Sequence, residues 1–407
     1  METLTIIFLV FLFLAIYFFV FFVVVFAHNS RKMFYSPEPK KKYAVSFLVP
    51  SYNEEDTIEN TINSIYESSY PIKEVIVIND GSSDDTSKIV RNLCNKYKSL
   101  KLIDKKNSGK ADSLNQGIKI AKGELIAVVD ADSYPEKNAV GKMVGFFDDN
   151  KIGAVTSCVL LKNKKTFFEK IQEMEYIALA WTRKLFDFID SVYVTNGPLS
   201  IYRKNVLEEI RGFDIHSITE DIEITWHILS KGYKTRMSLS SVVYTSVPNK
   251  FRAWWGQRVR WGIGGIETIF KYRRFFFKKG MFGMFVMPFV ALTIFLSILG
   301  FIFGIYLMYR NIVSKFVYVD YSISLQSTLL RPENFNFNPT IILIMIAILF
   351  IISFSYTSYI YIKMEQKHIL KFRKVFNRLF YMIIYLTFYP VVWFDAIYRV
   401  IKKEHKW

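Results

Sequence analysis

Ile6–Ala27 is an unbroken apolar run, and no other feature restricts the fold of this chain so severely. It is long enough to cross a bilayer as a helix, which pairs every backbone group within the segment. A cleaved signal peptide is disfavoured, because no basic residue precedes the run and the run exceeds a usual signal core. Arg31, Lys32, Lys40, Lys41 and Lys42 follow closely. Lys and Arg collect on the cytoplasmic side, so the N-terminus is expected outside and the chain after Ala27 in the cytoplasm. Phe282–Tyr309 and Ile341–Ile362 are two further spanning segments. Arg310–Thr340, with few charges, reads as an outside loop, and the basic Lys363–Arg378 as cytoplasmic. Phe380–Val400 is a third apolar stretch, interrupted by Pro390, Asp395 and Arg399. Spanning is favoured over a re-entrant path there, although it leaves Lys402, Lys403 and Lys406 outside.

Composition agrees with a mixed protein. Of 407 residues, 51% are hydrophobic and 22% charged, too apolar for an ordinary soluble enzyme and too charged for a bare membrane bundle. The net charge of +17 concentrates at the borders of the apolar runs, which fits anionic lipid and argues against nucleic acid. Cys94 and Cys158 are the two cysteines, without metal-ligand spacing, as suits a reducing compartment.

After the linker Ser36-Pro37-Glu38-Pro39, strands and helices alternate. Val45–Val49, Glu74–Ile78, Leu100–Ile103, Leu125–Val129, Ile152–Leu160 and Val242–Val247 read as strands. Glu55–Ser68, Asp85–Tyr97, Ala111–Ala121, Phe167–Phe188 and Thr219–Ser230 read as helices, with Thr219 as an N-cap. Val192–Tyr202 is extended, broken at Asn196-Gly197-Pro198. The order implies an α/β domain with a parallel sheet covered on both faces. Phe251–Phe277 combines Trp254, Trp255 and Trp261 with Arg252, Arg258, Arg260, Arg273 and Arg274, as in a helix lying in the membrane interface.

The polar residues gather where such a sheet binds ligands, at strand carboxyl ends and helix starts. Leu125–Ser133 is a strand ending in Asp130 and Asp132, one residue apart. Alternate residues of an extended segment point the same way, so the two carboxylates leave the strand together and favour Mg²⁺ or Mn²⁺. Asp80, in Asn79-Asp80-Gly81, suits a ribose hydroxyl or a base N–H. Lys110, at a helix start, offers a charge to a diphosphate. No Walker-type Gly-x-x-x-x-Gly-Lys-Ser and no Gly-x-Gly-x-x-Gly is present. These groups describe a nucleoside-diphosphate site of another kind. Asp221, in Ile218-Thr219-Glu220-Asp221, is a candidate general base for an acceptor hydroxyl. Arg260 is placed to stabilise a departing phosphate and Trp261 to stack on a sugar.

The motifs, in order, are Pro50-Ser51-Tyr52-Asn53-Glu54, Asn79-Asp80-Gly81-Ser82, Gly109-Lys110-Ala111-Asp112-Ser113-Leu114-Asn115, Asp130-Ala131-Asp132, Thr219-Glu220-Asp221 and Gln257-Arg258-Val259-Arg260-Trp261. This series resembles the membrane-integrated family 2 glycosyltransferases that make cellulose, chitin, hyaluronan and poly-N-acetylglucosamine. The resemblance covers roughly Val45–Trp261 and the flanking membrane segments. It implies a GT-A-type, mostly parallel sheet with helices on both faces and transmembrane helices at both ends. The expected units are an N-terminal span over 1–30, a cytoplasmic catalytic domain over 43–250, an interfacial helix over 251–280 and a membrane region of two or three spans over 281–407. Pro50, Asn53, Glu54 and Asp80 would form the nucleotide end, with Lys110 at the diphosphate. Asp130 would face the nucleotide and share a Mg²⁺ or Mn²⁺ with Asp132. Asp221 would be the base, with Glu220 beside it in the catalytic motif. Gln257, Arg260 and Trp261 would line the acceptor and diphosphate end.

The implied reaction is an inverting, single-displacement transfer from a UDP-sugar, with UDP-N-acetylglucosamine the expected donor, onto a growing β-linked polysaccharide by processive addition. Gly109–Asn115 and Ser217–Trp226 look most like poly-N-acetylglucosamine and nodulation-type chitin synthases. Asn196–Arg203 looks closer to hyaluronan synthases, with Asn-Gly where those usually carry Ser-Gly. The alternative is one addition to a polyprenyl phosphate or ceramide-like lipid, as in ceramide glucosyltransferases. The expected partners are the sugar nucleotide, a polysaccharide or lipid-linked acceptor, the bilayer and an accessory subunit, in a multi-pass cell-membrane protein.

Overall fold

The computed structural model describes residues 2–278, 280–324, 341–365 and 372–404. Helix α1 (Glu2–Asn29) leads into strand β1 (Val45–Ser51), helix α2 (Ile58–Tyr66), β2 (Ile72–Asn79), α3 (Thr86–Lys96), β3 (Leu100–Asp104), α4 (Lys110–Ile120) and β4 (Leu125–Val128). Then come β5 (Ser133–Pro135), α5 (Gly141–Val144), β6 (Ile152–Leu161), α6 (Phe167–Asp187), β7 (Ser200–Arg203), α7 (Lys204–Glu209), α8 (Glu220–Ser230) and β8 (Lys234–Thr245). Helices α9 (Phe251–Tyr272), α10 (Met287–Ser324), α11 (Ile341–Glu365) and α12 (Phe372–Lys402) complete the described chain.

The strands form one eight-stranded sheet in the order β3-β2-β1-β4-β7-β6-β8-β5. Every residue of β1 is buried, as expected of a strand covered on both faces. One face packs on Ile58, Ile62 and Ile65 of α2 and Val90 and Leu93 of α3; the other packs on Leu114 and Ile118 of α4 and Ile224 and Ile228 of α8. The helical spacing of those apolar residues selects the buried stripes. The sheet is mixed. Four neighbouring pairs are parallel and three antiparallel. The parallel half is β3-β2-β1-β4, and the antiparallel β7 joins it to β6.

Three local expectations need correction. The strand into Asp130 stops at Val128. Asp130, Ala131 and Asp132 form a turn closed by the Ser133 N–H donating to Asp130 O at 3.0 Å. The carboxylates therefore converge through a turn that Thr61 also anchors, its hydroxyl donating to Ala131 O at 2.7 Å. Thr219 occupies the N-cap position of α8 but its side chain makes no capping bond. Its hydroxyl is packed against Gly264 of α9 instead, where an added Cβ would stand 2.0 Å from Oγ1. Pro390 does not interrupt the last apolar stretch: α12 runs through it. Proline is tolerated within membrane helices when neighbours take up the freed backbone group.

Among the described residues, four helices are long and apolar enough to cross a membrane: Leu9–Lys32, Phe282–Arg310, Ala347–Met364 and Val375–Lys402. Helix α10 continues to Ser324, so the loop expected from Arg310 begins as helix, and its remainder, 325–340, lies outside the described residues. Part of the basic segment 363–378, residues 366–371, and Lys406 also lie outside them. Buried Met174, Ile177 and Trp181 of α6 pack with Phe22 and Val25 of α1 and Ile360 and Tyr361 of α11. Val259 and Ile263 of α9 pack with Val392 and Ala396 of α12. One buried polar junction reinforces these contacts. Glu175 of α6 accepts from Arg258 Nε of α9 at 2.8 Å and from the Tyr389 hydroxyl of α12.

Candidate active site

Two adjoining hollows share Lys110, Asp130 and Asp132. The first, of about 270 Å³, is lined by Pro50, Glu54, Asp80, Lys110, Asp130 and Asp132 among others. It collects the expected nucleotide-end residues except Asn53. Asn53 is exposed with a left-handed φ of 55°, and its Oδ1 accepts from the Ser83 N–H at 2.9 Å. Its side chain is thus occupied in tying the β1 loop to the β2 loop.

Asp80 is held just as firmly. Its carboxylate accepts from the Ser108 N–H at 2.9 Å and the Gly109 N–H at 2.8 Å, and pairs with Lys105. Gly109 has a φ of +94°, a conformation that L side chains rarely adopt, and it turns the chain into α4. That turn delivers Lys110 to the junction of the two hollows. Lys110 Nζ lies 2.6 Å from Asp130 Oδ1 and 2.6 Å from Glu220 Oε1. Burial opposes the ammonium charge, but the two carboxylates outweigh it and keep Lys110 protonated. Burial also opposes ionisation of Glu220, yet Lys110, with help from Arg260, holds that carboxyl below its usual value.

The second hollow, of about 380 Å³, continues past Glu220 and Asp221 to Gln257, Arg260 and Trp261 of α9 and to Tyr389, Val392 and Trp393 of α12. Asp221 is the second residue of α8, where its Oδ1 accepts from the Ile222 N–H at 2.9 Å. Burial, then the neighbouring Glu220, pushes its carboxyl up to about 6. That suits a base that must both ionise and accept a proton near neutrality. The Arg258 guanidinium lies 4.3 Å from the centre of the Trp261 ring and fixes one face of it.

Asp132 is likewise pushed up to about 6, by burial first and then by Asp130 and Glu54. A cation between these oxygens would relieve that repulsion. Among the described residues, no three His, Cys, Asp or Glu side chains form a metal-holding group. Two carboxylates still fit Mg²⁺ or Mn²⁺, ions that fill the rest of their shell with water and substrate phosphates.

Several residues of the second hollow escaped sequence reasoning. Tyr176, Leu179 and Arg183 of α6, and Tyr193 and Asn196 before β7, line it. A charged residue at 183, seven after Tyr176 and four after Leu179, lies on the same helix stripe, and that spacing is the signal that marks it. Gly197 forms the wall beside Asp130.

Residues 46–211 match the family described as glycosyl transferase family 2. The similarity to that family lies in this segment, which holds β1 to β7 and Lys110, Asp130 and Asp132. The matched segment ends before Glu220, so the second half of the site lies beyond it. The poly-beta-1,6-N-acetyl-D-glucosamine synthase of Staphylococcus epidermidis is 33% identical over 60% of this chain and 59% of its own length. The synthase of the same name from Staphylococcus aureus is 34% identical over 56% of each. The chain thus matches under three fifths of the length of these relatives. Mannosyltransferase PcManGT of Pyrobaculum calidifontis, solved with GDP-Man and Mn²⁺, aligns over 99% of both chains with a TM-score of 0.59 and 18% identity. That likeness is one of fold, from α1 through the last membrane-type helix.

Proposed function

We propose that this protein transfers a sugar from UDP-N-acetylglucosamine to the end of a growing β-linked polysaccharide, with inversion and repeated addition. One observation carries the reading. Asp132, on the nucleotide side, and Asp221, on the acceptor side, open into one hollow that runs on to the membrane helix α12. The names of the synthase relatives support an N-acetylglucosamine donor.

In this reading the nucleotide lies in the hollow of Pro50, Glu54 and Asp80, and Lys110 meets its diphosphate. Asp132 and Asp130 would hold Mg²⁺ or Mn²⁺, which supplies positive charge beside the leaving diphosphate when bound. The acceptor hydroxyl oxygen bonds to the anomeric carbon as the bond from that carbon to the diphosphate oxygen breaks. UDP leaves with the electron pair, and the hydroxyl proton passes to Asp221. Lys110 and Arg260 stabilise the charge on the departing diphosphate, while Glu220 positions Lys110. No covalent sugar–enzyme intermediate is required. Trp261 stacks on the acceptor, and the lining from α12 guides the product toward the bilayer. The catalytic domain faces the cytoplasm, the N-terminus lies outside, and α9 lies along the membrane surface.

The test is turnover by the full chain in lipid, supplied with UDP-N-acetylglucosamine and Mn²⁺, with the product sized by mass spectrometry. A ladder of sugar units is expected, abolished by EDTA and by Asp132→Ala. One sugar on a lipid would replace the processive reading with single addition to a polyprenyl phosphate or ceramide-like acceptor. Absence of transfer from any UDP-sugar would refute both.

A further inference from the structure

Among the described residues, three side chains lining the second hollow, Asn196, Arg183 and Thr219, carry a buried polar atom with neither a hydrogen-bond nor an ion-pair partner, and two of these atoms are of opposite kind. Asn196 is only 5% exposed. Its Nδ2 donates to Ser157 O at 3.0 Å, and its backbone N–H donates to Thr156 Oγ1 at 3.1 Å. Those bonds fix the side chain against β6. Its Oδ1 is buried without a hydrogen-bond partner among the described residues. Exchanging the amide N and O would set two acceptors face to face at Ser157, so the contact itself assigns the oxygen. Arg183, on α6, lines the same hollow. Its buried Nε–H also has no partner among the described residues. Leaving a buried polar group without a partner is unfavourable. Asn196 Oδ1 and Arg183 Nε–H therefore have bonding capacity open to a group entering the hollow.

The pair is complementary in kind. Asn196 Oδ1 can only accept, and Arg183 Nε–H can only donate. A secondary amide matches both, with its N–H donating to Asn196 and its carbonyl accepting from Arg183. A phosphate offers acceptors for Arg183 but, ionised, no proton for Asn196. The position is right for a sugar substituent. Gly197, the next residue, packs on the Asp130 carboxylate, and Asp221 is among the charges that act on Arg183.

We propose that Asn196 and Arg183 bind the acetamido group of a 2-acetamido sugar held in this hollow, and so select it over the 2-hydroxy sugar. The inference rests on the sugar-transfer reading above and names the chemical group by which the site chooses its substrate. Neither residue takes part in bond making; both set specificity.

The experiment uses the full chain in detergent with Mn²⁺ and has two arms. The first measures the affinity of UDP, UDP-glucose and UDP-N-acetylglucosamine for the wild type, Asn196→Ala, Arg183→Met and Arg183→Lys. The second measures KM for N-acetylated and de-N-acetylated glucosamine oligosaccharides. If the donor amide is read, the variants bind UDP-N-acetylglucosamine about tenfold more weakly, while UDP and UDP-glucose change by less than about twofold. Arg183→Lys does not restore the preference, because its ammonium cannot place a donor where Nε stands. If the amide belongs to the acceptor, donor affinities hold and the preference for N-acetylated oligosaccharides falls by the same factor. Equal weakening of UDP, which would mark a diphosphate-binding or purely structural role, overturns the proposal. So does an unchanged preference in both arms. A wild type that transfers nothing from UDP-N-acetylglucosamine would instead overturn the donor reading, and this inference with it.

Discussion

Gly197 stands so close to Asp130 that a Cβ at position 197 would lie 2.5 Å from the carboxylate Oδ2 and 2.9 Å from Oδ1. The same Cβ would meet Lys110 Nζ at 2.9 Å. Backbone from the segment before β7 is therefore part of the wall that holds the Asp130–Lys110 pair. A side chain there has to displace the groups assigned to metal and diphosphate.

Gly197→Ala is expected to lower turnover by at least about tenfold, since small displacements of positioning groups have large kinetic effects. The loss should include a raised requirement for Mn²⁺. Metal titration of activity checks this, with a thermal melt to verify folding. An unchanged Mn²⁺ dependence would separate Gly197 from the carboxylates.

Asp221→Asn keeps the shape of the side chain and removes its capacity to take a proton. Turnover should fall about 10²–10⁴-fold, the range for loss of a general base. UDP-sugar affinity should stay within a factor of a few. Steady-state rates and equilibrium binding on the same preparation decide it, and near-normal turnover would remove Asp221 from the role.

The pH dependence has a defined sign. As the proposed base, Asp221 would have to be ionised, and its carboxyl is raised to about 6 by burial and then by Glu220. Activity should be full above that value and decline as pH falls through it. Asp132 is raised to about 6 by burial, then Asp130 and Glu54, and must also be ionised to hold a cation. At limiting Mn²⁺ the acid limb should therefore be steeper than for one group. Saturating Mn²⁺ should return it toward a single-group limb, because bound metal opposes protonation. A rate profile at two metal concentrations tests this.

Much of this architecture was legible because the nucleotide end is built from local signals. The strand reading of Val45–Val49 and of the apolar start of Leu125–Ser133 follows from their largely apolar content, and the polar turns come directly after them. Asp221 and Trp261 were found because each sits in a compact motif at a helix start or on a helix face. The mixed half of the sheet was not legible. Ser133–Pro135 is three residues long and contains proline, and Lys234–Ser241 alternates small polar residues with Met237 and Leu239. Neither stretch has the apolar content by which strands are recognised. The antiparallel placement of β7 between β4 and β6 depends on pairings distant in sequence. Arg183 lies in no motif, and the Asn196–Arg203 segment, though it resembles hyaluronan synthases, gives Asn196 no site role by sequence; only the fold brings the two to one hollow.

The Glu175–Arg258 pair yields a stability prediction. Both residues are only 2% exposed. Removing one partner strands a buried charge, so Glu175→Ala or Arg258→Ala should cost about 3–5 kcal/mol. The double variant Glu175→Leu/Arg258→Met should recover most of that loss. Unfolding in detergent, compared across the four proteins, measures it; additive losses would show that the two charges act independently.

The lining of the second hollow has a consequence for biogenesis. Tyr389, Val392 and Trp393 come from the last helix of the described chain, while Lys110 and Asp130 are made well before it. During synthesis the first hollow can assemble while the second is still missing a wall. That wall arrives only when α12 docks on α9. A nascent chain thus lacks the full lining of the second hollow until α12 is seated, which ties completion of the candidate site to insertion of that helix.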